Sequence, residues 1–165
     1  MDLFILRHAE AGKSLPARAK DAERSLTAEG KEELEDVARA LSRLKIRPDH
    51  IISSPLKRAR ETANEVAKAL KERGKVEIWD ELKPEGSKQE LYARLSKLKP
   101  ESVVLCVGHE PYLTQMINEV MGHQGTPRIV LRKSGLTRLS IKAFSPKVEG
   151  ELRWLLTPRL LKRMS

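Results

Sequence analysis

The sequence contains one cysteine, few aromatic residues and no long apolar run. Cys106 alone cannot form an internal disulfide, and the N-terminus lacks the basic and apolar segments of a signal peptide, so we expect a cytoplasmic protein. No stretch approaches the roughly 20 apolar residues of a membrane span, so we expect no membrane association. Two Trp, two Tyr and two Phe are few for the base-stacking surface of a single-strand nucleic-acid binder.

The formal net charge of +9 is concentrated in the last quarter of the chain. Residues 126–165 hold 10 Lys and Arg but only 2 Asp and Glu. This asymmetry favours an anionic partner, although a solvated basic face that keeps the protein soluble is the alternative interpretation. Because aromatic residues are scarce, a protein partner is favoured over a nucleic acid.

Apolar runs alternate with helical patterns along most of the chain. Buried strands are predicted at 3–6, 50–53, 76–79 and 103–107, and alternating apolar residues at 139–143 and 152–156 predict a hairpin with its turn around Pro146 and Gly150. A length of 165 residues suits one core. We therefore expect a single α/β domain over 1–165: a three-layer α/β/α sandwich with a mostly parallel central sheet and an antiparallel C-terminal edge hairpin.

Helix start signals lie between these strands. Thr27 and Ser87 have the chemistry of N-caps, and a fourth helix is predicted from Pro111. Ser54 and Pro55 are expected to be the N-cap and first residue of the second helix, which would end near Gly74. The polar, Pro-containing stretch 11–25 is predicted to be a mobile loop at the carboxyl edge of the sheet.

Charged and imidazole side chains follow two of the strands and begin one helix. Arg7 and His8 follow the first strand, His109 follows the 103–107 strand, and Arg58 lies in the first turns of the second helix. Ligands of open α/β sheets collect at the carboxyl ends of the strands, and a helix N-terminus favours an anion. Because a guanidinium matches phosphate oxygens bidentately, this group predicts a phosphate pocket.

Each of these residues also has a structural interpretation when it is taken alone. Arg58 could be an exposed partner of Glu61 or Glu65 at helical spacing, and His109 could be bonded to backbone at a strand end. His50 and His123 have no comparable surroundings and are interpreted as structural. The convergence of three segments on one edge favours function.

Other phosphate chemistries fit the sequence less well. Two arginines oppose a cation beside the histidines, so we expect neither a metal nor another cofactor. A cysteine-based phosphatase would need an Arg six positions after Cys106, where the chain has Tyr112. A Gly-rich phosphate loop with Lys is also absent, which leaves a neutral histidine as the candidate nucleophile.

Four segments in this order resemble the histidine phosphatase (phosphoglycerate mutase-like) superfamily. They read LRHA at 6–9, LTAEG at 26–30, SPLKRARET at 54–62 and GHEP at 108–111. The small size, the Asp21 and Arg24 pair, and ELKPEG at 81–86 resemble its SixA-like phosphohistidine phosphatases.

The resemblance implies a metal-independent phosphatase in which His8 becomes a covalent phosphohistidine within a pocket of Arg7, Arg58 and His109. The substrate would be a phosphohistidine-bearing protein, since the chain has no room for the helical insertion that covers the site in mutase-type relatives. The loop around Arg24 is expected to help bind this substrate.

Larger relatives carry a glutamate that protonates the leaving oxygen, and Glu81 is the candidate in this chain. An imidazole leaves near its own pKa of about 6.5, whereas an alkoxide needs a proton from a positioned acid. A poorly placed acid would therefore favour phosphoramidate substrates. The alternatives are a general phosphomonoesterase of the same superfamily and a non-catalytic, phosphate-dependent binding module; no pattern specifies an oligomeric state.

Overall fold

A six-stranded sheet with helices on both faces forms the protein. The computed structural model describes residues 1–13, 21–72, 76–123, 125 and 129–164. The strands are β1 (Asp2–Arg7), β2 (His50–Ser53), β3 (Val76–Ile78), β4 (Val103–Gly108), β5 (Leu136–Ala143) and β6 (Glu149–Leu156). Their order in the sheet is β3-β2-β4-β1-β5-β6. The first four are parallel and β5 and β6 are antiparallel, which confirms the predicted fold class.

Within the described ranges, five α-helices with both ends described connect and follow the strands. They are α1 (Ala28–Arg43), α2 (Lys57–Ala69), α3 (Lys88–Leu95), α4 (Tyr112–Val120) and α5 (Pro158–Met164), and a 3₁₀ helix spans Asp80–Leu82. The predicted caps form, because Thr27 Oγ1 accepts a hydrogen bond from the Gly30 N–H at 3.1 Å and Ser87 Oγ accepts one from the Glu90 N–H at 3.2 Å. Within the described residues, no helix is long and apolar enough to cross a bilayer.

The apolar run of β1 divides between two hydrophobic layers. Leu3 and Ile5 belong to the layer that includes residues of α3 and α4, while Phe4 and Leu6 belong to the layer that includes residues of α1, α2 and α5. Alternate side chains of a strand point to opposite faces, so an unbroken apolar run is stable only when both faces are covered. The first strand is therefore central, and its carboxyl end lies in the middle of the sheet edge.

The start of α2 differs from the prediction. The helix begins at Lys57, with Leu56 at the N-cap position and no side-chain cap, rather than at Ser54 and Pro55. The Ser54 hydroxyl is 3.4 Å from the Leu56 nitrogen and makes a closer contact with His109, so it does not serve as the cap. The helix ends at Ala69, before the predicted end at Gly74, which lies outside the described residues.

The C-terminal part of the chain also holds differences. Gly150 lies within β6 rather than in the hairpin turn, and the sequence interpretation missed α5. This helix has seven residues, of which only Leu161 is buried, so it is too short to show an apolar period.

The loop predicted over 11–25 is described only at its two ends. The Gly12 N–H donates to the Ser25 carbonyl at 3.1 Å, and Ala11 pairs with Leu26 in an isolated bridge. These two contacts bring the ends of the segment together beside the carboxyl end of β1.

Candidate active site

Strand register brings the predicted residues together. Arg7 of β1 is paired with Gly108 of β4, so the residues that follow, His8 and His109, lie side by side with their ring centroids 5.0 Å apart. The His8 N–H donates to the Gly108 carbonyl at 3.1 Å, which extends the parallel pairing by one residue. The two histidines are thus placed by backbone hydrogen bonds of the sheet rather than by a flexible loop.

The His8 ring has a defined tautomer. Its Nδ1 lies 2.8 Å from the Ala9 carbonyl oxygen, which can only accept, so Nδ1 carries the proton. The Arg58 Nε–H donates to His8 Nε2 at 3.3 Å, consistent with a lone pair on that nitrogen. Burial is the largest cause that lowers the pKa of His8 from 6.5 to about 4. The hydrogen bond to Ala9 opposes this effect, and the charges of Arg58 and Arg7 add to it. At neutral pH the ring is therefore neutral. The Nε2 lone pair, which accepts the Arg58 hydrogen bond in this structure, is the lone pair that a nucleophilic attack would use.

Arg58 faces the histidines and is only 5% exposed. A second guanidinium nitrogen, Nη1, donates to the Asp21 carbonyl at 3.0 Å and lies 3.3 Å from the Asp21 carboxylate. The interpretation of Arg58 as an exposed partner of Glu61 is wrong, because the Glu61 carboxylate accepts the Leu26 N–H at 2.7 Å instead. Arg58 is thus a buried cation directed at His8.

Thr62 joins the two segments that carry His8 and Arg58. Its hydroxyl accepts the Ala9 N–H at 3.1 Å and donates to the Arg58 carbonyl at 2.7 Å. Thr62 is the last residue of the SPLKRARET segment, and the sequence interpretation gave it no role of its own. A hydroxyl among apolar and Ala positions was the signal for this role, since a buried hydroxyl needs hydrogen-bond partners.

His109 and Arg7 each contain a buried polar atom that lacks a partner among the described residues, Nδ1 of His109 and Nε of Arg7. The other nitrogen of His109, Nε2, lies 2.9 Å from Ser54 Oγ. The Nη1 atom of Arg7 donates to the Leu131 carbonyl at 2.9 Å. Burial, followed by the charges of His8 and Arg58, lowers the pKa of His109 far below 6.5. Buried groups without partners are rare in folded proteins, so a ligand that accepts hydrogen bonds fits this position.

Arg24 lies at the margin of the same group. Its Nε is 2.7 Å from the Asp21 carboxylate, so Asp21 contacts both Arg24 and Arg58. The Nη1 atom of Arg24 donates to the Gly12 carbonyl at 2.9 Å. After the larger effect of burial, the Arg24 charge contributes to lowering the pKa of Arg58 and of His109. The structure therefore brings Arg24 close to the predicted pocket.

The described contacts of Glu81 do not include this group. Glu81 lies in the 3₁₀ helix after β3, and both of its carboxylate oxygens are 3.2 Å from the Nη1 atom of Arg94. The Arg94 guanidinium also stacks over the Trp79 ring, 3.9 Å from its centroid. The carboxylate is thus held in an ion pair, and its role as general acid stays a prediction.

A second carboxylate, Glu110, follows His109 directly and was not singled out from the sequence. It accepts hydrogen bonds from the Thr114 N–H at 3.2 Å and from the Thr114 hydroxyl at 2.7 Å, which caps the first turn of α4. Burial raises the pKa of Glu110, and the Thr114 hydrogen bonds and the Arg7 charge oppose that effect. Its position after a catalytic-type histidine was the available sequence signal.

The arrangement suits an anion with a tetrahedral centre. Cationic Arg7 and Arg58 flank two neutral histidines, so the charges of the pocket attract phosphoryl oxygens and repel a metal cation. The lone pair of His8 Nε2 lies next to the Arg58 donor. A phosphorus atom whose oxygens bind the arginines would lie within reach of this lone pair, which is the geometry of nucleophilic phosphoryl transfer.

Comparison with known proteins identifies the family. Residues 3–84 match the model of the histidine phosphatase superfamily, branch 1. The chain is 29% identical over 164 residues to the phosphohistidine phosphatase SixA of Escherichia coli, covering 98% of this chain and 97% of that protein. It is 35% identical over 131 residues to the SixA homolog of Haemophilus influenzae, covering 74% and 78%.

A solved structure agrees with the sequence matches. The protein histidine phosphatase SixA complexed with tungstate superposes with a TM-score of 0.84 at 28% identity, covering 98% of this chain and all of that one. Fold, sequence motifs and relatives therefore agree: the chain belongs to the histidine phosphatase superfamily and is SixA-like.

Proposed function

We propose that this protein is a phosphohistidine phosphatase that removes phosphate from a histidine on another protein through a phosphohistidine at His8. The observation that carries the proposal is the neutral His8 ring, whose Nδ1–H is bonded to the Ala9 carbonyl and whose Nε2 lone pair faces Arg58. Membership in a superfamily of phosphatases and the SixA relatives support it.

The reaction has two in-line transfers. First, His8 Nε2 forms a bond to phosphorus while the bond from phosphorus to the substrate imidazole breaks. The imidazole nitrogen leaves with the bonding pair, and because its ring is protonated on the other nitrogen it leaves as a neutral imidazole. A water molecule then attacks the phosphorus, the bond to His8 Nε2 breaks with its electron pair returning to that nitrogen, and both protons of the water stay on the released phosphate. Arg7, Arg58 and His109 bind the phosphoryl oxygens and stabilise the charge in both transition states, with Arg24 supporting substrate binding at the margin. No step uses a metal or another cofactor.

The covalent intermediate gives the first prediction. With a phosphohistidine donor and no added metal, the intact mass of the wild-type protein should rise transiently by one phosphoryl group after rapid quenching without acid. The His8→Ala variant should show no adduct and no turnover, because the nucleophile is lost. His123→Ala is the matched control, since His123 is exposed beyond the C-terminal end of α4, away from the carboxyl ends of the strands. Phosphate binding without any adduct in the wild type would contradict the proposal and support a binding module.

The lowered pKa of His8 gives a pH prediction. With a pKa of about 4, His8 stays unprotonated from pH 8 down to about 5, and protonation removes the Nε2 lone pair only as the pH falls through 4. The ring C–H resonances of His8, assigned by their absence in His8→Ala, should therefore not move between pH 8 and about 5. A titration midpoint near 6.5, the ordinary value for histidine, would contradict the buried, neutral ring.

Substrate class follows from the leaving group. The described contacts of Glu81 join its carboxylate to Arg94 and not to Arg7, His8, Arg58 or His109, so none of them places it as a proton donor to a leaving group. An imidazole can leave without a strong acid, whereas the alkoxide of a phosphoester cannot. We therefore expect phosphohistidine to be hydrolysed faster than sugar phosphates.

This expectation is tested with the Glu81→Gln variant and two substrates. The wild type should hydrolyse phosphohistidine faster than a sugar phosphate, and Glu81→Gln should leave the phosphohistidine rate within about two-fold, because no proton is required from this side chain. Initial rates of phosphate release measure both effects. Faster hydrolysis of the sugar phosphate would favour a general phosphomonoesterase, and a large loss in Glu81→Gln would assign Glu81 the acid role.

A charged cleft beside Arg7 is a candidate docking surface for the protein partner. The cleft has a volume of about 930 Å³, and its two walls have opposite charge. The α1 wall carries Glu29, Glu32, Glu33 and Asp36, and the facing wall carries Arg132, Lys133, Arg159 and Lys162. Glu10 also lines the cleft and is already paired with Lys133. A partner that fits presents acidic side chains to the second wall, as the charge of residues 126–165 suggested, and basic side chains to α1.

Charge reversal in this cleft gives a prediction about partner binding. Arg159→Glu should raise KM for a phosphorylated protein by about five-fold, which corresponds to the roughly 1 kcal/mol of an exposed ion pair, and should leave kcat unchanged. Free phosphohistidine should be hydrolysed normally. Lys147→Glu is the matched control, because it makes the same charge change at an exposed residue. Lys147 lies between β5 and β6, at the end of the sheet away from the carboxyl end of β1. Equal effects of the two variants would contradict docking in the cleft.

A further inference from the structure

Ser54 is a fully buried serine in contact with His109, and nothing in the proposed reaction yet uses it. It follows β2 directly, and its N–H donates to the Val107 carbonyl of β4 at 3.0 Å. This backbone bond fixes Ser54 beside the carboxyl end of β4, so its Oγ lies 2.9 Å from His109 Nε2. Both side chains are almost completely excluded from solvent, with 0% and 2% exposure.

The contact matters because a neutral imidazole carries only one proton. If the proton is on His109 Nε2, it is donated to Ser54, and Nδ1 presents a lone pair that repels a phosphoryl oxygen. If the proton is on Nδ1, then Nε2 accepts from Ser54, and Nδ1–H is a donor with no partner among the described residues. Only the second tautomer can bind a phosphoryl oxygen.

The surroundings of Ser54 favour the second tautomer. The Leu56 N–H points at Ser54 Oγ from 3.4 Å, so it occupies the acceptor side of the hydroxyl and cannot receive its proton. The neighbouring Ser54 carbonyl is already bonded to the Ser53 hydroxyl at 2.9 Å. Among the described residues, His109 Nε2 is the acceptor within hydrogen-bond distance of the Ser54 hydroxyl.

We propose that Ser54 is a positioning residue: its hydroxyl donates to His109 Nε2 and thereby keeps the proton on Nδ1, where it can bind a phosphoryl oxygen. The two histidines then have the same protonated nitrogen but opposite uses. In His8 the Ala9 carbonyl holds Nδ1–H, so the lone pair is on Nε2, where it accepts the Arg58 Nε–H until a phosphoryl group replaces that contact. In His109 Ser54 occupies Nε2 and leaves Nδ1–H for binding. The role in catalysis rests on the proposed function, but the tautomer itself does not.

Nitrogen NMR of the ¹⁵N-labelled protein without substrate tests the tautomer. In the wild type, His109 should have a protonated Nδ1 and an unprotonated Nε2. Ser54→Ala should change this pattern toward protonated Nε2 or a mixture of tautomers, because the donor to Nε2 is lost. Ser53→Ala is the matched control, since Ser53 is equally buried but its hydroxyl donates to a backbone carbonyl. A protonated Nε2 in the wild type would overturn the proposal.

Kinetics and phosphate binding test the consequence. Ser54→Ala should lower kcat with phosphohistidine by about ten-fold, the effect of one lost hydrogen bond, and should weaken binding of inorganic phosphate by a similar factor. Ser54→Thr, which keeps the hydroxyl, should retain the wild-type tautomer and most of the activity. Thermal unfolding of each variant establishes that it is folded, and a Ser54→Ala loss no larger than that of Ser53→Ala would overturn the role.

The two proposals fail in different ways. A wild type that binds inorganic phosphate, shows the Nδ1–H tautomer of His109 and hydrolyses no phosphohistidine would contradict the proposed function while supporting the role of Ser54 in anion binding. A wild type that is active with protonated Nε2 on His109 would contradict the role of Ser54 and leave the proposed function intact.

Discussion

Parallel pairing of β1 with β4, and of β4 with β2, determines where the two histidines and Ser54 lie. The register places Arg7 opposite Gly108 and Ser53 opposite Val107. The positions directly after these strand residues are occupied by His8, His109 and Ser54, which therefore lie together at the carboxyl ends of the strands. A shift of register by one residue would send alternate side chains to the wrong face of the sheet and separate the two rings. The hydrophobic layers on both faces hold this register, so packing far from the site maintains the distances within it.

Burial creates the electrostatics of the pocket. Two imidazoles and the Arg58 guanidinium lie in a region almost closed to solvent, where a charged histidine beside two arginines is unfavourable. The histidines therefore remain neutral, and the cationic character comes from the arginines alone. Polar atoms of Arg7 and His109 that have no partner in the described part of the chain cost free energy in the absence of ligand. Such a cost is typical of sites whose partners arrive with the substrate.

Asp21 and Thr62 connect the site to the surrounding chain in two directions. Asp21 contacts both Arg24 and Arg58, so it links the segment before α1 to the first turn of α2. Thr62 links the same helix to the backbone at Ala9. Much of the basic charge of the last quarter is neutralised locally in comparable pairs, such as Arg138 with Asp2. Arg132 and Arg159 of the same segment line the cleft beside Arg7.

Local sequence patterns were sufficient to locate the apolar strands that end in Arg7 and His8 or in His109, and the arginine at the start of a helix. Periodicity and caps were sufficient for these elements because they depend on neighbours within a few residues. Which polar groups contact one another depends on the folded structure. Ser54 looked like a helix cap and Glu81 like an acid, yet their nearest partners are His109 and Arg94, 55 and 13 residues away. Such contacts depend on register and packing across the sheet, and no local pattern records them.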